Sequence, residues 1–225
     1  TADAVRKQLI EIKQAGSKYV LILAGDHLYR MDYKKFVQFH VDSEADVSIA
    51  VQPVGREGAP ELGILKLASD GKIEQFTEKP QTDELLDSLV SRDDSDKPYM
   101  ASMGIYVFNT RSLVKAVIED AKTDSAHDFG KNVIPAIVKG GKAMAHQFSE
   151  SCVMTGDETA PYWRDVGTVD AFWQANIDLT DFTPSLDIYS TDWPIWTYSE
   201  LTPPAKFVHD EDDRRGSAVS SMVSG

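Results

Sequence analysis

Six residues, Tyr19-Val-Leu-Ile-Leu-Ala24, form an unbroken apolar run that empties into Gly25-Asp26-His27. A half-exposed strand would alternate polar and apolar residues, so the run predicts a buried strand of a largely parallel sheet. Gly25 lets the backbone turn tightly, and Asp26 then stands at the strand's carboxyl end, the edge where open α/β sheets place their ligands. A carboxylate there can hold a hard cation such as Mg²⁺ against the phosphates of a nucleotide. It can equally well cap the turn, and spacing alone leaves both readings open.

The charge balance narrows the partners. With 23 Lys and Arg against 36 Asp and Glu, the net charge of −13 argues against a duplex nucleic acid or an anionic membrane. A small phosphorylated ligand stays compatible, because a local basic pocket with a metal can override the global field. Apolar residues at 42% predict a globular chain. The lone Cys152 excludes an internal disulfide framework and fits a reducing cytoplasm. No apolar run is long enough to span a bilayer.

Strand and helix signals alternate along the chain. Ala2, Val5, Leu9 and Ile12 recur at helical spacing with Gly16 as a stop. Asp32 caps a helix presenting Tyr33, Phe36, Val37 and Val41, and Asp46–Val51 reads as a strand stopped by Pro53. Leu62–Leu67 and Ile73–Glu78 flank Ser69-Asp70-Gly71, a hairpin signal. Residues 81–98 are polar and read as an exposed loop or short helix. Ala101–Asn109 is a strand, followed by an amphipathic helix with Leu113 and Val117, a short helix near Asn132–Lys139, and a strand at Ala143–Phe148. Tyr162–Asp165 is extended, and Thr168 caps a helix carrying Val169, Phe172, Trp173 and Leu179. The alternation predicts an α/β fold with a mostly parallel sheet and one antiparallel hairpin. Residues 1–180 read as one α/β domain and 181–225 as an extended, proline-rich linker.

Several polar groups stand where packing alone does not ask for them. Lys79 follows Glu78 at the end of the hairpin and is fixed by Pro80, so it can present a compact positive charge to a phosphate. The plainer reading is a lysine at the solvent end of a sheet. Ser102 and Gly104 open the next strand, where a glycine permits close approach of a ligand. Asp165 precedes a capped helix and either complements its dipole or joins Asp26 at a cation, since Mg²⁺ takes only one or two protein carboxylates. No zinc-type spacing, Walker loop or nucleophile elbow is present in the sequence.

Eight strings, in order and spanning essentially the whole chain, carry a resemblance. They are Thr1-Ala-Asp-Ala-Val5, Leu23-Ala-Gly-Asp-His27 with Met31-Asp-Tyr33, Phe76-Thr-Glu-Lys-Pro80, Ala101-Ser-Met-Gly-Ile-Tyr-Val-Phe108, His127-Asp-Phe-Gly-Lys131, Tyr162-Trp-Arg-Asp-Val-Gly-Thr168, Asp192-Trp-Pro-Ile195 and Pro203-Pro-Ala-Lys-Phe207. Together they resemble the bacterial ADP-glucose pyrophosphorylases, the glucose-1-phosphate adenylyltransferases. The resemblance implies a Rossmann-like nucleotidyltransferase sheet lacking its N-terminal portion. It also implies an enzyme that makes ADP-glucose and pyrophosphate from ATP and glucose 1-phosphate for glycogen biosynthesis. Asp26 and Asp165 resemble the family's Mg²⁺-binding aspartates. Lys79 resembles the lysine that holds the sugar phosphate, Glu78 and Ser102 resemble sugar ligands, and Gly63 resembles a glycine lying against the glucosyl group.

The family's arginine-containing, glycine-rich phosphate loop and its C-terminal β-helix are not among these residues, so the resemblance implies that the 225 residues alone lack turnover. It further implies a cytoplasmic, allosteric homotetramer in the full-length form. Two competing expectations belong to other classes. One is a non-catalytic regulatory subunit of the same family, which should have lost one of Asp26, Lys79 and Asp165. The other is a sugar-nucleotide-dependent glycosyltransferase, which normally carries an Asp-x-Asp motif that Asp26-His27-Leu28 lacks.

Overall fold

Two discontinuous units make up the chain, residues 1–24 with 32–151 and residues 25–31 with 152–225. The structure, a computed structural model, describes residues 1–156, 158–208 and 216–223. In chain order the elements are α1 (Ala2–Lys7), α2 (Leu9–Gln14), β1 (Tyr19–Ile22), β2 (His27–Tyr29), α3 (Tyr33–Asp42), β3 (Val47–Val54), β4 (Gly63–Leu67), β5 (Ile73–Glu78), α4 (Asp83–Ser88), β6 (Tyr99–Asn109), α5 (Thr110–Asp120), α6 (Ile134–Gly140), β7 (Ala143–Gln147), α7 (Phe148–Ser151), β8 (Trp163–Asp165) and α8 (Val169–Asp178). A π-helical turn, Phe129–Val133, leads into α6.

In the first unit, six strands form one sheet in the order β5-β4-β6-β3-β7, with β1 also paired to β6. β3 and β7 pair in parallel, while β1, β3 and β4 each pair antiparallel with β6, and β5 pairs antiparallel with β4. β1, β3, β4 and β7 therefore share one direction, the mostly parallel set that the alternation predicts. The sheet is nonetheless mixed, because β6 runs against its neighbours at the centre. Val47, Ile49 and Val51 of β3 pack with Phe108, Leu113, Val117 and Phe129 into the main core. The opposite side of β3 meets α3, where His40 Nδ1 lies 2.9 Å from Ser48 Oγ and the Phe36 ring stacks on His146. With helices on both faces, β3 has no face left for solvent, and its first five residues are all buried.

Local signals hold at several joints. Asp32 caps α3 by accepting from the Lys34 and Lys35 amides, and Gly71 closes the β4–β5 hairpin at φ 81. Three expectations need correction. β1 stops at Ile22 and is only partly buried, with Leu23 43% exposed, because it pairs on one side alone. β3 runs through Pro53, which is paired opposite Met100. The β7 ladder ends at Val51, so Pro53 sits where β3 has become an edge and its missing N–H costs no bond. The 81–98 stretch is more than solvated surface: Leu86 and Leu89 pack with Ile64, Tyr99 and Ala101 into a second cluster.

In the second unit, β2 and β8 form a two-stranded antiparallel ribbon with His27 opposite Asp165 and Tyr29 opposite Trp163. Next to it, the buried Arg30 guanidinium donates to Glu158 Oε1 at 2.5 Å, to the Asp187 carbonyl at 2.6 Å and to the Thr155 hydroxyl. The stretch expected as a linker carries no helix or strand among its described residues, yet its start is tied down by this arginine and by the buried Leu186. Its residues 209–215, 224 and 225 lie outside the described residues. Thr168 caps α8 through the Ala171 amide, but Val169, Phe172 and Trp173 are 85%, 59% and 60% exposed. These three apolar residues of α8 are therefore not core within this unit, although Ala175 is buried. Among the described residues no helix is long and apolar enough to cross a membrane.

Candidate active site: an acid pair and a glutamate–lysine slot

The residues singled out in the sequence fall into two groups, one on each unit. In the second unit the ribbon register brings Asp26 and Asp165 together. The Asp26 carbonyl accepts from the Val166 amide at 2.9 Å, which locks the residue beside the end of β8. The Gly167 amide donates to Asp165 Oδ1 at 2.7 Å. A Cβ placed on Gly167 would stand 2.8 Å from Asp26 Oδ2 and 3.0 Å from Asp165 Oδ1, so both carboxylates converge on one point. His27 lies against the pair, with Nε2 3.6 Å from Asp26 Oδ1 and 3.9 Å from Asp165 Oδ2, and its ring meets Trp163 edge-on at 5.0 Å.

This donor set suits a hard cation that keeps most of its water. Among the described residues no third His, Cys, Asp or Glu joins the two carboxylates to make a closed cage. Mg²⁺ is commonly held by one or two carboxylates, with water and substrate phosphates completing an octahedron. Asp26 and Asp165 keep 59% and 51% of their side-chain surface exposed, which leaves room for those other ligands. A tetrahedral zinc site, by contrast, needs three or four protein donors.

In the first unit the hairpin places Gly63 and Glu78 directly opposite each other across β4 and β5. Lys79 follows at φ 47, a left-handed conformation costly for a residue with a Cβ and often found where function requires it. Its amide donates to the Leu62 carbonyl at 3.0 Å, and its ammonium makes no ion pair among the described residues. Burial pushes the Glu78 carboxyl up from its ordinary value, and neighbouring Asp128 pushes it further, against the opposing pull of Lys79 and Lys131. No protein donor reaches the Glu78 carboxylate among the described residues. Ser102 is buried, accepts from the Gly104 amide at 3.2 Å, and shares a hydrogen bond with the Tyr106 phenol. Burial, partly offset by that bond, holds the phenol at about 12. Gly104 takes φ 68 where the β3–β6 register slips between Ile49 and Val51, so this glycine serves a bulge that sets Ser102.

Sequence reasoning missed the groups that support these residues. Asp128 caps the π-helical turn by accepting from the Lys131 amide at 3.0 Å, and the turn lays Gly130 against Glu78. Desolvation would raise the Asp128 carboxyl, but the Lys131 amide and the Thr1 hydroxyl together bring it below its usual range. The signal was available in His127-Asp-Phe-Gly-Lys131, which supported the resemblance without being given a role. His27 was likewise passed over, although it adjoins Asp26.

Comparison with known proteins gives the family. A glucose-1-phosphate adenylyltransferase of Roseobacter denitrificans is 55% identical over all of this chain, which covers 52% of that protein. Those of Cereibacter sphaeroides and Rhizobium etli are each 54% identical, again over all of this chain and 52% of their own lengths. The chain thus spans about half the length of the curated relatives it matches. A family model for nucleotidyl transferases matches residues 1–181, most of the chain. The β2–β8 acid pair and the Glu78–Lys79 slot both lie within that match, and the chain belongs to the nucleotidyl transferase family.

Proposed function

We propose that the whole protein is a glucose-1-phosphate adenylyltransferase, joining ATP and glucose 1-phosphate to give ADP-glucose and pyrophosphate. The names of its relatives support this reading, and so does the chemistry of each group. The observation that carries it is the convergence of Asp26 and Asp165, distant in sequence, on one point beside Gly167. Mg²⁺ is the proposed cofactor; bound by these two carboxylates, it would neutralise phosphate charge.

The other residues act by binding and orientation. Lys79 contributes an unpaired cation to the phosphate of the sugar substrate. Glu78, lacking a donor of its own, accepts a hydrogen bond from a sugar hydroxyl, and Ser102 and Gly63 line the same pocket. A phosphate oxygen of glucose 1-phosphate bonds to the α-phosphorus of ATP as the bond to the β-phosphate oxygen breaks. The attacking sugar-phosphate oxygen is already ionised, so the protein needs no general base and works through positioning. Glycogen biosynthesis in the cytoplasm, by an allosteric homotetramer, is the setting this reading implies.

A pyrophosphate-release assay on the full-length protein tests the proposal. ATP, glucose 1-phosphate and Mg²⁺ should give equal amounts of ADP-glucose and pyrophosphate. Binding of ADP-glucose with no turnover would instead identify a regulatory subunit.

A further inference from the structure

The Glu78 carboxylate occupies space left by two missing side chains. A Cβ on Gly63 would stand 2.9 Å from Glu78 Oε2. One on Gly130 would stand 2.4 Å from the same oxygen and 2.9 Å from Glu78 Cδ, closer than real Cβ contacts come. The first approach follows from strand pairing, since Gly63 is the register partner of Glu78. The second comes from a distant part of the chain, the π-helical turn Phe129–Val133. Such turns are rare and are found disproportionately at functional sites.

Gly130 is not among the residues with positive φ, so its backbone conformation does not require a glycine. Space does. The nearest atoms an added methyl group would meet are those of Glu78, followed at an ordinary 3.4 Å by Asp128 Oδ1. Gly130 is also held in the turn, because the amide of the next residue, Lys131, donates at 3.0 Å to the Asp128 carboxylate that caps it. The capped turn is therefore a floor under a side chain that no protein donor reaches among the described residues. A methyl group on that floor displaces the end of Glu78, which can swing aside, and leaves the backbone where it is.

We propose that Gly130 is a positioning residue of the sugar subsite: by omitting a methyl group it lets the Glu78 carboxylate rest on the Phe129–Val133 turn in the orientation that accepts a sugar hydroxyl. The inference rests on the reading of Glu78 as a sugar ligand.

The test uses the full-length protein with ATP and glucose 1-phosphate. Gly130→Ala should raise the KM for glucose 1-phosphate about tenfold or more, the loss expected for one hydrogen bond to a charged acceptor, with kcat and the ATP KM within about threefold. Glu78→Ala should raise the same KM, and adding Gly130→Ala to it should produce no further rise, since no carboxylate remains to displace. An unchanged KM in Gly130→Ala, equal damage to the ATP KM, or a further rise in the double variant would each overturn the proposal. If Glu78→Ala itself leaves the sugar-phosphate KM unchanged, the failure lies with the reading of Glu78. Should Gly130→Ala fail to fold, the double variant decides: recovery of folding shows that the contact is with Glu78. Continued failure shows that the glycine serves the turn itself and overturns the proposal.

Discussion

The acid pair of the second unit and the single acid of the first use one functional group in opposite ways. Asp26 and Asp165 each leave more than half of the side chain in water, while Glu78 is half-buried beneath two glycines with no donor to its oxygens among the described residues. An open pair keeps the room that a hydrated cation demands. A sheltered, donor-free carboxylate suits a neutral hydroxyl, which brings a hydrogen bond and no charge to desolvate. The chemistry of a carboxylate here is set by its surroundings.

That contrast can be broken most severely at the support of the second unit. Arg30→Ala leaves Glu158 buried without its cation, and loss of one partner of such a pair costs about 3–5 kcal/mol. Urea unfolding should show that loss. A change under about 1 kcal/mol would mean that the buried pair is not what holds the start of the 181–208 stretch.

Next come the acids and the lysine. Asp26→Asn should lower kcat by about 10²–10³-fold and weaken Mn²⁺ binding, with little effect on the sugar-phosphate KM. An unchanged kcat removes Asp26 from the cation site. Lys79→Ala should do the reverse, raising the KM for glucose 1-phosphate by about ten- to a hundredfold, as a charge-assisted contact of about 1.5–3 kcal/mol predicts. Equal effects on the two substrates' KM values would refute the role of Lys79.

The smallest effect concerns pH. Because burial raises the Glu78 carboxyl, folding favours its protonated form. The stability this contributes is complete below the ordinary carboxylate value and is lost as pH rises through the folded one. At neutral pH the ionised group works against the fold, so Glu78→Gln should melt higher than the parent. Water screening keeps the gain below about 1 kcal/mol. The gap should close near about pH 3, where the parent is also protonated. A gap that stays constant with pH would show that packing, and not charge, causes it.

Much of the scaffold was legible because its signals are local. Asp32 and Thr168 each cap the helix that follows within three residues, and Gly71 meets the conformational demand of its own turn. The candidate residues were legible too, since a carboxylate after an apolar run or a lysine before a proline is unusual in a short window. What escaped notice depended on partners elsewhere in the chain. Pro53 reads as a stop, yet it continues β3 because β7 has already ended beside it. The apolar run at Tyr19 reads as buried on both faces, yet among the described residues β1 pairs with β6 alone.

By itself the sequence determined the alternation of strands and helices, the turns, and which polar side chains stood where packing did not call for them. These follow from backbone preferences and hydrogen bonds reaching a few residues either way. Tertiary structure alone decided that β6 runs backwards through the sheet, that the His27–Asp165 register joins two distant aspartates, and that Gly130 lies under Glu78. Those outcomes depend on which strand edges and which turn meet, a choice made by burying apolar surface over the whole unit and carried by no short stretch of residues.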